Sequence, residues 1–153
     1  IVYEHPEYLS ALDVSGPVSA HVKTDLELRG CPPNKKQILE VLTACLHNKK
    51  PDLSSGSVCL ECKRRGIVCV MVSKGIPCLG PVTHAGCGAL CPAYDRGCYG
   101  CFGPKETPNT ASLSHWISGE LGMSREDVLR SFRHINCYAL EFCLESMKHE
   151  PKD

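Results

Sequence analysis

The sequence lacks several features that would narrow its function at once. No apolar run approaches the roughly 18 residues that a membrane-spanning helix needs. The 17 Lys and Arg are balanced by 17 Asp and Glu, so the basic excess that usually accompanies nucleic-acid binding is absent. The sequence also contains no evident Ser-His-Asp set, phosphate-binding loop or histidine-rich metal triad, and it opens at Ile1 without the pattern of a signal peptide. With 42% hydrophobic and 22% charged residues, it is nevertheless typical of a globular chain.

Cysteine is what the sequence has in abundance, with 12 in 153 residues. Most of them fall in residues 58–104, a glycine-rich segment with no convincing helical or strand period. Such a segment cannot easily form its own apolar core, so something other than side-chain packing must hold it. In chain order its cysteines form two sets of four: Cys59, Cys62, Cys69 and Cys78, then Cys87, Cys91, Cys98 and Cys101.

Three chemistries compete for these eight thiols. Disulfides need an oxidising compartment, and the close Cys-x2-Cys pairs more often chelate or do redox chemistry. Two four-cysteine zinc sites are possible, although such sites usually take two Cys-x2-Cys knuckles each and every set here has one. Irregular spacing, abundant glycine and the step Cys91-Pro92 favour two iron–sulfur clusters, with zinc as the alternative.

The segments on either side have regular patterns. Residues 21–28 alternate polar and apolar, which predicts a half-buried strand. After a rigid turn at Gly30-Cys31-Pro32-Pro33, residues 34–48 predict a helix capped by Asn34. Strand, turn and helix together indicate one βα unit, followed by a polar linker over residues 49–57. The apolar face of the helix is Ile38, Leu39, Val41, Leu42, Cys45 and Leu46.

Residues 107–149 predict a pair of helices. Asn109 or Thr110 caps the first, which ends at Gly122. Ser124 begins a loose capping box for the second. The inward residues of the first are Leu113, Trp116, Ile117 and Leu121. Those of the second are Val128, Leu129, Phe132, Ile135, Ala139, Phe142, Cys143 and Met147.

Four cysteines lie outside the two sets. Cys31 stands at the predicted end of a strand in a rigid turn, which favours a ligand over a buried thiol, but one cysteine cannot hold a cluster. Cys45, Cys137 and Cys143 fall on predicted helices, and we expect them to be small buried hydrophobic residues. His84 and His115 are expected to be surface or hydrogen-bonded polar residues.

Three motifs resemble the small, electron-transferring subunit of nickel–iron hydrogenases, in particular the cytoplasmic sulfhydrogenase delta-type subunits. They are Arg29-Gly30-Cys31-Pro32-Pro33-Asn34, Pro77-Cys78-Leu79-Gly80-Pro81-Val82-Thr83 and Gly97-Cys98-Tyr99-Gly100-Cys101-Phe102-Gly103-Pro104. In those subunits too a Cys-Leu-Glu-Cys-Lys motif opens the cysteine block, and a helical tail follows it.

The resemblance implies three 4Fe-4S clusters in a line. It assigns the first set of four cysteines to a distal cluster and the second set to a medial cluster. Cys31 is then the last ligand of a shared proximal cluster, whose other ligands lie outside this sequence. The periplasmic and membrane-bound relatives have His where Cys59 stands, and often a three-cysteine medial site where this chain adds Cys91.

The resemblance also implies the domain organisation. Residues 1–50 are expected to be the C-terminal βα part of a flavodoxin-like domain, residues 58–104 an irregular ferredoxin-like two-cluster segment, and residues 107–153 a helical tail. Nothing in residues 1–30 matches the rest of the flavodoxin-like domain, so the chain resembles the C-terminal portion of such a subunit.

The function implied is an electron relay inside a cytoplasmic oxidoreductase. The hydrogen-activating site would lie in the large subunit, so this chain would be a non-catalytic component. Its other partner would be a flavin or iron–sulfur subunit, with no nucleic acid and no membrane span. The alternatives are a stand-alone two-cluster ferredoxin-like carrier and a zinc-held binding module.

Overall fold

A computed structural model describes residues 4–10 and 16–151, which are built mainly from short helices. Two single-turn 3-10 helices, Pro6–Tyr8 and Val18–Ala20, come first. The α-helices that follow are α1 (Lys35–Leu46), α2 (Val58–Arg64), α3 (Val70–Lys74), α4 (Leu90–Ala93), α5 (Thr110–Glu120), α6 (Arg125–Arg133) and α7 (Leu140–Met147). No helix among the described residues is long and apolar enough to cross a membrane.

The strand predicted over residues 21–28 does not form. These residues are bends and irregular backbone, and Val22 and Leu26 are largely exposed. A strand needs the backbone of a neighbour to pair with. Within residues 4–10 and 16–151 the structure holds only two isolated bridges, Ser57 with His84 and Thr83 with Pro104. The prediction of a strand here was therefore wrong, and the flavodoxin-like assignment stays a prediction.

The predicted helix α1 is confirmed, but its packing is not as expected. The side chain of Asn34 accepts a hydrogen bond from the backbone N–H of Lys36 at 2.8 Å and so caps the helix. Ala44 is the only buried residue of α1, while Leu39, Leu42 and Leu46 are more than half exposed. The amphipathic pattern thus predicted the helix correctly and its burial wrongly.

The cysteine segment contains three helices that its periodicity did not indicate: α2, α3 and α4. Each is seven residues or fewer, too short for a period to be seen. Ser57 caps α2 by accepting from the N–H of Leu60 at 3.3 Å. Backbone hydrogen bonds then tie the segment together, including the N–H of Cys59 to Gly80 at 3.1 Å and the N–H of Leu79 to Cys98 at 2.9 Å.

The predicted C-terminal helix pair proves to be three helices. Asn109 caps α5, and Gly122 follows its end with a left-handed φ of 65°, as predicted. Ser124 caps α6. The second predicted helix is broken between α6 and α7, where Asn136 donates a side-chain hydrogen bond to the carbonyl of Gly100 at 2.6 Å. That contact anchors the turn on the cysteine segment and interrupts what would otherwise be one apolar face.

One apolar core joins the cysteine segment to the C-terminal helices. Its buried members from the segment include Val58, Val70, Leu79 and Val82, together with the side chains of Cys78 and Cys98. Its members from the helices are Leu113, Ile117, Val128, Phe132 and Phe142. The core therefore positions two of the predicted ligand thiols directly.

Candidate metal centre

The first set of cysteines lies on α2, at the start of α3 and in the loop after α3. Cys59 and Cys62 lie three residues apart on α2 and therefore share one face of that helix. Cys69 is the N-cap of α3, and Cys78 is buried in the following loop. Burial, followed by the nearby charges of Cys78, Cys59 and Cys69, raises the pKa of Cys62 to about 11. The Cys62 thiol therefore has the other three members of its set, and also Cys87 of the second set, within electrostatic reach.

The second set lies in α4 and in the chain before and after it. Cys91 lies in α4, and Cys87 stands three residues before Leu90, where the helix begins. Burial raises the pKa of Cys101, with Cys87 and Cys91 as the next causes. Burial also raises the pKa of Cys98 to about 12, assisted by the charges of Cys78 and Cys87. Cys98 therefore lies within electrostatic reach of both sets.

Backbone N–H groups point at the buried sulfurs. The Sγ of Cys78 accepts from the N–H of Cys98 at 3.1 Å and from the N–H of Gly80 at 3.4 Å. The Sγ of Cys98 accepts from the N–H of Gly100 at 3.5 Å. These bonds lower the pKa of the Cys78 and Cys98 thiols against the larger effect of burial. Donors of this kind stabilise a thiolate and are among the groups that set the potential of an iron–sulfur cluster.

Cys31 lies close to the second set. Cys31 is exposed. A hydrogen bond from its backbone lowers the pKa of the Cys101 thiol, whereas the charge of its side chain raises that pKa. Cys31 and Cys101 both line an open cavity of about 570 Å³. The guanidinium of Arg29 donates to the carbonyl of Pro104, so the first and third of the three motifs are in contact. The structure thus places Cys31 beside the predicted medial set, at an open cavity.

The donor set fits a thiolate-bound cluster. Eight thiols occupy one segment, two of them nearly inaccessible, and the charges of neighbouring cysteines raise the pKa of the Cys62 and Cys78 thiols. Iron bound by these thiolates would compensate their negative charge. No group of three or more His, Cys, Asp or Glu side chains in the described ranges is arranged around one point for a single ion. The assignment of individual cysteines to each cluster stays a prediction.

The cysteines outside the two sets differ from expectation. Cys45 is exposed on α1, and Cys137 is exposed in the turn between α6 and α7 rather than on a helix. Cys143 is half-buried on α7. The prediction of three buried thiols was wrong for the first two, because α1 turns most of its apolar face to solvent and because the helix predicted through Cys137 is broken there.

The two histidines are polar residues with ordinary surroundings. His84 is buried, but its Nε2 lies 3.1 Å from Glu106 Oε1 and its Nδ1 lies 2.7 Å from the carbonyl oxygen of Ala85. His115 is exposed on α5. Both fit the expectation of surface or hydrogen-bonded side chains.

Sequence reasoning missed Glu61, which lies between Cys59 and Cys62 on α2. Its carboxylate reaches across to the loop that carries Cys87. The signal available was its place inside Cys-Leu-Glu-Cys-Lys, where an acidic side chain stands between two predicted ligands.

Comparisons with known proteins point to hydrogenases. No family model matches the chain. It is 42% identical over 97 residues to the delta subunit of sulfhydrogenase 2 from Pyrococcus furiosus, an alignment that covers 63% of this chain and 41% of that protein. It is 34% identical over 104 residues to the G-type (vhu) subunit of an F420-non-reducing hydrogenase from Methanocaldococcus jannaschii, covering 57% and 36%.

A third relative is named for its cofactor. The G-type iron-sulfur subunit of the F420-non-reducing hydrogenase from Archaeoglobus profundus is 30% identical over 126 residues, covering 65% of this chain and 38% of that protein. These alignments span about two-fifths of the length of the curated relatives that the chain matches.

Proposed function

We propose that this chain, which is homologous over more than half its length to delta-type and G-type hydrogenase subunits, is the electron-relay part of a nickel–iron hydrogenase. The observation that carries the proposal is the pair of four-cysteine sets, gathered within one segment and supplied with backbone N–H donors. Bound there, iron–sulfur clusters would supply one-electron chemistry. The chain itself would hold, shield and tune them.

Two 4Fe-4S clusters account for the eight thiols. Cys59, Cys62, Cys69 and Cys78 would hold the distal cluster, and Cys87, Cys91, Cys98 and Cys101 would hold the medial cluster. The N–H of Cys98 donates to the Sγ of Cys78 at 3.1 Å, so a ligand of one set is hydrogen-bonded directly to a ligand of the other. This contact is a short through-bond route between the clusters.

The surroundings favour a low-potential relay. An all-thiolate ligand set carries more negative charge than one containing histidine, and extra negative charge disfavours the reduced state. Cys78 and Cys98 lie in the apolar core, where a charge is poorly solvated. Hydrogen bonds from Gly80, Cys98 and Gly100 act in the opposite direction by stabilising the thiolates.

The position of Cys31 indicates which other subunits the chain would need. With its thiol beside Cys101, it would complete a proximal cluster whose other ligands come from elsewhere. The hydrogen-activating site would lie in a large subunit, and a flavin or iron–sulfur subunit would receive the electrons. The cavity that Cys31 and Cys101 line is the surface we expect to face the proximal cluster. We expect the assembly to be cytoplasmic.

The test is reduction by hydrogen in the assembled complex. The protein should be produced anaerobically with its large subunit and exposed to hydrogen gas. The brown visible absorbance should bleach and a reduced-cluster EPR signal should grow, and the part of both changes that belongs to the medial and distal clusters should be lost when Cys98 is replaced by Ala. Cys137→Ala, at an exposed position outside both sets, is the control. A brown chain that joins no large subunit would instead indicate a free carrier, and a colourless zinc-containing chain would indicate a binding module.

A further inference from the structure

Glu61 connects the two cysteine sets. It lies on α2 between Cys59 and Cys62, yet its carboxylate contacts the loop of the other set. Its Oε1 accepts from the N–H of Gly86 at 3.0 Å, and its Oε2 accepts from the N–H of Ala89 at 3.2 Å. The same Oε2 lies 3.8 Å from the Sγ of Cys87. A side chain carried by the distal-cluster helix therefore contacts the backbone on both sides of the first ligand of the medial cluster.

The loop needs this partner. Gly86 has φ of 140°, and Ala89 has φ of 53°, a left-handed conformation that is uncommon for a residue with a side chain. Ala89 is fully buried, so its N–H requires a hydrogen-bond acceptor within the protein. A carboxylate that accepts two backbone N–H groups makes charge-assisted bonds, which are stronger than neutral ones. Glu61 thus accepts the N–H groups of Gly86 and Ala89 in this strained turn, and these two hydrogen bonds hold the backbone on both sides of Cys87.

The opposite end of α2 holds the same loop with the opposite charge. The guanidinium of Arg65, four residues after Glu61, donates to the carbonyl of Gly88. Glu61 is half-buried and Arg65 is exposed, so the carboxylate is the less screened of the two charges. Burial raises the pKa of the Cys87 thiol, hydrogen bonds from the backbone of Leu90 and Ala89 lower it, and the charge of Glu61 raises it.

We propose that Glu61 is a positioning residue for the medial cluster, which it holds through the Gly86–Ala89 loop, and that its negative charge lowers the reduction potential of that cluster. The inference rests on the proposed function. Reduction adds one electron, from a neighbouring cluster or from a chemical reductant, and breaks no bond to the protein. The carboxylate therefore acts by electrostatics on the added electron and by geometry on Cys87.

The experiment is an EPR-monitored redox titration of the anaerobically purified protein with dithionite as reductant. Glu61→Gln keeps one oxygen to accept a backbone N–H but removes the charge, so the medial potential should shift upward. Arg65→Gln, which removes a more screened positive charge, should shift it downward by a smaller amount. Glu126→Gln, an exposed carboxylate on α6 paired with Arg130, should leave it unchanged. Cys69→Ser, which alters a distal ligand, identifies which EPR signal belongs to which cluster.

Glu61→Ala tests the positioning role separately. It removes both hydrogen bonds, so about half of the bound iron should be lost while the distal signal remains. Loss of both clusters would contradict the inference, because it would reflect general unfolding. Unchanged potentials in Glu61→Gln with full iron in Glu61→Ala would also overturn it. Failure of the unsubstituted protein to bind any iron–sulfur cluster would instead refute the proposed function.

Discussion

The cysteine segment and the three C-terminal helices are stabilised in different ways. Helices α5 to α7 pack on one another through residues such as Phe132 and Phe142, whose rings meet edge to face at 5.6 Å. Helices α2 to α4 are only four to seven residues long, which is too short to be stable alone. We therefore expect the segment to depend on its metal ligands, and the helices to depend on apolar burial.

The two regions nevertheless share one core, and this makes the comparison testable. Cys78 and Cys98 belong to the same apolar cluster as Phe132 and Phe142. A change in the segment should alter cluster content first, whereas a change in the helices should alter the free energy of unfolding first.

The largest expected effect is at Cys98. Cys98→Ala removes a predicted medial ligand, and alanine tolerates the apolar surroundings of this side chain, which is 6% exposed. Bound iron should fall from about eight atoms per chain to between about four and about seven, because the three remaining medial thiolates can hold at most a three-iron cluster. Iron analysis measures this. Retention of all the iron would exclude Cys98 as a ligand, and Cys137→Ala should change nothing.

A smaller loss of iron is expected from Gly97→Ala, for which Gly119→Ala is the matched control. A Cβ at Gly97 would collide with the carbonyl oxygen of Pro77, so Gly97→Ala should push apart the two chain segments that present Cys78 and Cys98. We expect partial loss of iron. Gly119→Ala, in α5 with open space around it, should instead stabilise the protein by about 1 kcal/mol through helix propensity. Thermal unfolding and iron content separate the two outcomes, and equal behaviour of both variants would contradict the comparison.

The smallest effect on cluster content is expected at Glu145 in the C-terminal helices. Burial tends to raise the pKa of its carboxyl, but hydrogen bonds from Lys148 and Ser114 and the charge of Lys148 lower it below the ordinary 4.5. The resulting stability is complete above the unfolded-state pKa and is lost as the pH falls through the lower folded-state value. Glu145→Gln should therefore cost roughly 2 kcal/mol near neutral pH.

The pH dependence provides the check on Glu145. The difference in unfolding free energy between the unsubstituted protein and Glu145→Gln should shrink as the pH drops below 4.5, while iron content at neutral pH stays the same. A difference independent of pH would show that the carboxylate charge has no part in this stability. Glu126→Gln, exposed on α6, should cost far less.

Local signals in the sequence predicted local structure well. Asn34, Asn109 and Ser124 all cap the helices they were expected to cap, because a cap depends on a few adjacent residues. The division of eight cysteines into two sets stays a prediction, because the Cys98 thiol is influenced by the charges of both Cys78 and Cys87. The identity of the bound metal stays a prediction.

Features that depend on distant contacts could not be predicted. The strand over residues 21–28 needs a pairing partner that the described residues do not provide. The break before α7 depends on Asn136 reaching Gly100, 36 residues away. Glu61 reaches 25 residues along the chain to Gly86. Such contacts leave no periodic trace in the sequence.

The measurement that tests the central claim most directly is metal and sulfide analysis of the anaerobically purified chain, combined with spin-quantified EPR after reduction. The account predicts about eight iron and eight labile sulfide per chain, with two distinguishable four-iron signals. Zinc in place of iron, or eight free thiols with no metal bound, would contradict it.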